Sequence, residues 1–112
     1  MIEEKLDSLI EEIKGTSEYK EYETMKQSIA ERKDILILLQ QLSQLRILYE
    51  ADKLRGDTAS ETEKQISSLM NLLTDDDEAM DYLISEYKFH KVISDVLNKL
   101  NSLCDDNFTG MI

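Results

Sequence analysis

Proline and tryptophan are absent from this 112-residue chain, cysteine occurs once and glycine three times. Without proline, no residue obliges a helix to stop. Few glycines leave few tight turns. The lone Cys104 excludes an intramolecular disulfide and every metal motif built on paired cysteines. Five tyrosines and two phenylalanines are the only aromatics, and they form no obvious platform for stacking a cofactor or bases. Positive charge is scarce as well: 13 Lys and Arg face 24 Asp and Glu, for a net −11. Residues 1–55 carry only −3 of this and the remainder −8. Such a balance opposes direct nucleic-acid binding, which needs cations to displace phosphate counterions, and it opposes anionic membranes for the same reason. A basic protein partner is compatible with it. The longest uninterrupted apolar run, Ile35–Leu39, is far shorter than a membrane span, and Met1-Ile2-Glu3-Glu4-Lys5 lacks the apolar stretch of a signal peptide. A cytoplasmic location is expected, with no membrane insertion.

What the chain does contain is helical periodicity. A charged fraction of 33% and a hydrophobic fraction of 41%, with no proline, point to an all-α domain over residues 1–104 and a short frayed tail at 105–112. Ile2, Leu6, Leu9, Ile10 and Ile13 share one face of a first helix that Gly15 ends. Thr16 or Ser17 can cap a second helix, Glu18 to about Glu31, with Tyr19, Tyr22, Met25 and Ile29 inward; the two could also be one helix kinked at Gly15. Asp34 is the expected N-cap of a long third helix closed by Gly56. Ser60-Glu61-Thr62-Glu63 reads as a capping box for a fourth helix that buries Ile66, Leu69, Met70 and Leu73. Asp75-Asp76-Asp77-Glu78 reads as another, opening a fifth helix from Glu78 to about Leu103. Its expected inward residues are Met80, Leu83, Ile84, Tyr87, Ile93, Val96, Leu97, Leu100 and Leu103, broadened by Phe89 and Val92.

The third helix is the most informative segment. Ile35, Leu38, Leu42, Leu45 and Tyr49 follow the alternating three- and four-residue spacing of a helix–helix seam, while Leu36, Leu39, Ile47, Leu48 and Ala51 widen or duplicate it. A helix apolar most of the way round is covered from several sides. Helix five adds a second indication. From Glu78 to Leu103 it would span ~39 Å, whereas a globule of this chain length is only ~34 Å across. An elongated antiparallel hairpin or bundle of four to five helices, paired as an intertwined dimer, is therefore expected. Its contact residues would be Leu36, Leu39, Leu42, Leu45, Ile47, Leu48 and Tyr49 on helix three, with Tyr87, Phe89, Val92, Val96 and Leu100 on helix five.

Chemistry is harder to find. His90, the only histidine, has Glu86 one turn away, but that pairing is common on ordinary helices, and a structural histidine is the simpler reading. Asp75–Glu78 lacks the alternating ligands, glycine and closing glutamate of a calcium loop, so capping explains it without a metal. Cys104 fits a buried small apolar residue at the end of the Leu97, Leu100, Leu103 stripe better than a reactive thiol. Arg55-Gly56-Asp57 is a helix end rather than an adhesion motif, and helical spacing marks most tyrosines as core residues with a wet hydroxyl. No catalytic residue, cofactor or metal ligand is assigned.

Leu9-Ile10, then Ser17-Glu18-Tyr19-Lys20-Glu21-Tyr22, then Leu38-Leu39-Gln40-Gln41-Leu42-Ser43-Gln44-Leu45 come in that order. They are followed by Ser60–Glu63 and by Tyr82-Leu83-Ile84-Ser85-Glu86 with Phe89, Val92-Ile93, Val96 and Asn98. Over about residues 5–104 this order resembles the YlbF/YmcA family of small helical bacterial regulators, which includes YheA-like proteins. The resemblance implies an all-helical protein that pairs with itself or with relatives. It also implies a part in competence, biofilm formation and sporulation, and in messenger-RNA processing by a membrane-anchored endoribonuclease. Some members hold iron–sulfur clusters through several cysteines. This chain departs from them in having only Cys104. The expected function is that of a non-enzymatic adaptor, as a homodimer or in a hetero-complex with related small helical proteins. The alternatives are a holdase-like chaperone that grips apolar clients, and an enzyme using Glu86 and His90.

Overall fold

The computed structural model describes the backbone of residues 1–111 and the side chains of residues 1–104. The protein is all-α: α1 (Ile2–Lys14), α2 (Ser17–Ile29), α3 (Lys33–Leu54), α4 (Ser60–Thr74) and α5 (Asp77–Met111). Helix α5 continues past the expected end near Leu103. The expected frayed tail, 105–112, falls on residues whose side chains lie outside the described residues.

The junctions show which local signals acted. At Gly15–Thr16 the chain breaks, so α1 and α2 are two helices. The Thr16 hydroxyl accepts the Tyr19 backbone N–H at 3.2 Å and donates to the Ile13 carbonyl at 2.6 Å, capping one helix while closing the other. Asp34 is not the N-cap of α3. Arg32 holds that position without a side-chain cap, and Asp34 sits inside the first turn, where the helix dipole favours an acid. Arg55 closes α3, and Gly56 follows at φ +83°. A Cβ there would meet nothing within 4 Å, so backbone conformation rather than space requires the glycine.

Neither expected capping box forms. Ala59, at φ 55° and ψ 23°, is the N-cap of α4, which places Ser60 inside the helix. Glu63, the acid that would have reached back, instead accepts the Tyr49 hydroxyl at 3.0 Å. At α5 the capping acid is Asp76, which accepts the Ala79 N–H at 3.0 Å. In both cases a tertiary contact outweighs a pairing that sequence spacing favours.

Backbone contacts divide the chain into two compact units. In the unit Met25–Tyr82, α3 packs along α4. Ile29, Ile35, Leu42, Leu73 and Ala79 close its core, each at most 4% exposed. Tyr49 with Glu63 and Asp52 with Thr62 fix the antiparallel register of α3 and α4, the Thr62 hydroxyl donating to Asp52 at 3.4 Å. The other unit comprises Met1–Thr24 and Leu83–Ile112. There the Phe89 ring stacks on Tyr22 at 5.1 Å and meets Tyr19 edge-on at 5.4 Å. Ser85, on the same helix, is buried. Helix α1 buries no residue at all.

Five residues of α5 expected to face inward are exposed: Ile84, Tyr87, Leu97, Leu100 and Leu103. Met80, Leu83, Ile93 and Val96 are half-buried as expected, and one covered face runs through Ser85, Phe89, Val92 and Val96, at four-, three- and four-residue steps. The apolar residues of α5 lie on more than one face, and the aromatic ring of Phe89 selects the one that packs.

Candidate interaction surface

Helix α3 carries two apolar rows, and one of them is fully used within the chain. Ile35, Leu38, Leu42, Leu45 and Tyr49 are all buried or half-buried. The 3.6-residue period places Leu36, Ile47 and Leu54 on the opposite side, with Ile37 and Leu48 beside them. These five are exposed, at 38% for Leu36, 68% for Ile47, 88% for Leu54, 55% for Ile37 and 45% for Leu48. Gln40 and Gln44 interrupt the row and keep it partly wet.

The expected contact residues thus fall into three groups. Leu36, Ile47, Leu48, Tyr87 and Leu100 are exposed and available to a partner. Leu39, Leu45, Tyr49, Phe89, Val92 and Val96 are half-buried, with Phe89 engaged by α2. Leu42 is closed inside its own chain at 1% exposure and offers nothing to a partner in this conformation. Sequence reasoning passed over Ile37, Leu54 and Leu72, each more than half exposed. A helical-wheel projection of α3 could have found the first two. Leu72 could not be found that way, because nothing local distinguishes it from Leu73, which is buried.

One side of the α3–α4 pair forms a groove of about 650 Å³. Leu45, Leu48 and Leu69 supply its apolar lining, and Gln41, Gln44, Gln65 and Ser68 supply amides and a hydroxyl. Glu61 and Lys64, an acid and a cation one turn apart on α4, complete the lining. The groove is suited to receive apolar side chains and to hydrogen-bond polar groups beside them.

Electrostatics concentrate at Arg32. Its guanidinium reaches Asp76 at 2.6 Å, Glu78 at 3.2 Å and Asp34 at 3.2 Å, and the Ser28 hydroxyl donates to the other oxygen of Glu78 at 2.7 Å. Hydrogen bonds from Arg32 and then from the Ala79 N–H hold the Asp76 carboxyl below its ordinary range. The acidic run Asp75–Glu78 thereby contributes two carboxylates to a guanidinium. His90 lies beside Tyr22, ring to ring at 6.4 Å, and is exposed. Cys104 is exposed too, not the covered residue expected. No described helix is long and apolar enough to cross a membrane.

Residues 2–103 match the family described as control of competence regulator ComK, YlbF/YmcA. No curated protein and no solved structure matches the chain.

Proposed function

Given that the chain belongs to the YlbF/YmcA family, whose description is regulatory control of ComK, we propose that it is a non-enzymatic adaptor. It works by helix-to-helix association with a second copy or with a related small helical protein. The observation that carries this reading is the second apolar row of α3, from Leu36 to Leu54, which the chain's own helices leave open.

Magnitudes indicate how much surface such a contact needs. Fully burying a large aliphatic side chain contributes roughly 1.5–3 kcal/mol. Scaled by exposure, the five open residues of α3 are worth roughly 4–9 kcal/mol. Association costs roughly 4–15 kcal/mol in lost freedom. In a symmetric pair both copies bury this row, so the two α3 helices together contribute roughly 9–18 kcal/mol against that cost. Ile2, Leu6 and Ile10 of α1, with Tyr87, Leu97, Leu100 and Leu103 of α5, are also open. Covering them would add roughly 6–13 kcal/mol per chain.

Sedimentation velocity on Ile47→Glu and Leu54→Glu tests the reading. Each change places a charge on the open row without touching the core, so each should shift the protein toward a 13.0 kDa species while helicity stays unchanged. Equal sedimentation of wild type and both variants would remove the α3 row from the interface. The same open rows would serve a holdase. That reading requires the purified protein to bind an apolar-surface dye and to suppress client aggregation, neither of which a sealed dimer does.

A further inference from the structure

The α4–α5 turn has two capping options, and the structure uses the less obvious one. Asp75 and Glu78 have the spacing of a capping box, in which Asp75 would accept the Glu78 N–H and Glu78 would reach back to the Asp75 N–H. Instead Asp76 caps α5, its Oδ1 3.0 Å from the Ala79 nitrogen and its carboxylate also accepting the Glu78 N–H, while its Oδ2 lies 2.6 Å from Arg32. The Glu78 carboxylate is turned away from the box: Oε1 takes Arg32 at 3.2 Å and Oε2 takes the Ser28 hydroxyl at 2.7 Å. Both carboxylates that decide where α5 begins are thus held by residues 28 and 32, more than forty positions earlier in the chain.

We propose that Arg32 is a conformational clasp that selects the start of α5, holding the helix capped at Asp76 and withholding Glu78 from the competing box with Asp75. This goes beyond the association reading and does not depend on it. With the clasp closed, α4 and α5 are separated by two residues, Asp75 and Asp76. With Glu78 released, Asp75 becomes the cap and the connection shortens by one residue. Three carboxylates converge on the one guanidinium, and its loss leaves them mutually repelling, which drives Glu78 out of the cluster. The Arg32 side chain is 32% exposed, so a carboxylate on a partner can compete for it and transmit binding to the start of α5.

Amide hydrogen exchange on the full chain, resolved at Glu78 and Ala79, tests the clasp. In the wild type the Glu78 and Ala79 amides should exchange slowly and be insensitive to Asp75→Ala. In Arg32→Gln, Ala79 should stay protected, now by the Asp75 carbonyl of a helix that starts one residue earlier, while the Glu78 amide passes from the Asp76 to the Asp75 carboxylate. Asp75→Ala added to Arg32→Gln should then speed Glu78 exchange about five- to tenfold, the size of a lost cap. Arg32→Lys retains the charge but cannot fork across two carboxylates. It should show an intermediate pattern, and it carries the test if Arg32→Gln does not fold. A wild-type pattern in either substitution, or Glu78 protection in Arg32→Gln that survives loss of Asp75, would overturn the proposal.

Discussion

A single guanidinium shared by Asp34, Asp76 and Glu78 is the densest polar feature of the protein, and its consequences can be tested residue by residue. Because the folded state holds the Asp76 carboxyl below its ordinary value, the ion pair stabilises the fold at neutral pH. That contribution is lost as pH falls below the ordinary carboxylate range, through the still lower folded value. Asp76→Asn can still cap α5 but gives up the ionic partner. Its melting temperature should lie below that of the wild type at pH 7, and the gap should narrow below about pH 4; a gap independent of pH would place the role of Asp76 in capping alone. The core gives a contrasting case. Leu73 is fully buried, so Leu73→Ala should cost roughly 2–5 kcal/mol in denaturant unfolding. Leu72→Ala, one position along and 58% exposed, should fall within about 0.5 kcal/mol of wild type. The sequence could not announce the Arg32 cluster, because two of its three acids, Asp76 and Glu78, lie more than forty positions from the arginine and all three are explicable as helix capping.

At the scale of elements, periodicity was a good guide and caps a poor one. The seam from Ile35 to Tyr49 and the inward set Tyr19, Tyr22, Met25 and Ile29 stand where three- and four-residue spacing puts them. Spacing fails where a helix offers more than one apolar face, because only tertiary contact chooses between them. On α5 the contact with the Tyr19 and Tyr22 rings chose the side that carries Phe89. Ser85 was missed because a buried serine carries no hydrophobic signal. The box at Ser60 failed because Ala59 adopts left-handed backbone and Tyr49 claims Glu63. Gly56 did behave as its sequence position suggests, at positive φ. With open space around its missing Cβ, Gly56→Ala should cost roughly 1–2 kcal/mol through backbone strain alone, with no repacking elsewhere. A neutral result in thermal unfolding would show that the turn readily adopts another conformation.

For the whole molecule, the deciding fact is apolar surface without cover. Helix α1 buries none of its residues, α5 leaves Leu97, Leu100 and Leu103 open, and α3 shows a second row on the side opposite its core. The excess on α3 was legible in the sequence, since one helix cannot hide two apolar rows behind a single neighbour. The openness of α1 was not, because five well-spaced apolar residues look the same whether they face a core or a partner. Family membership supplies the regulatory setting, and the uncovered rows are the surface on which the proposed association rests. Light scattering on the eluting peak of a sizing column, at micromolar concentration, is the most direct test. Association requires a mass of at least twice 13.0 kDa that declines on dilution or on Ile47→Glu. A constant 13.0 kDa at every concentration would show that water, and not a partner, covers these rows in solution.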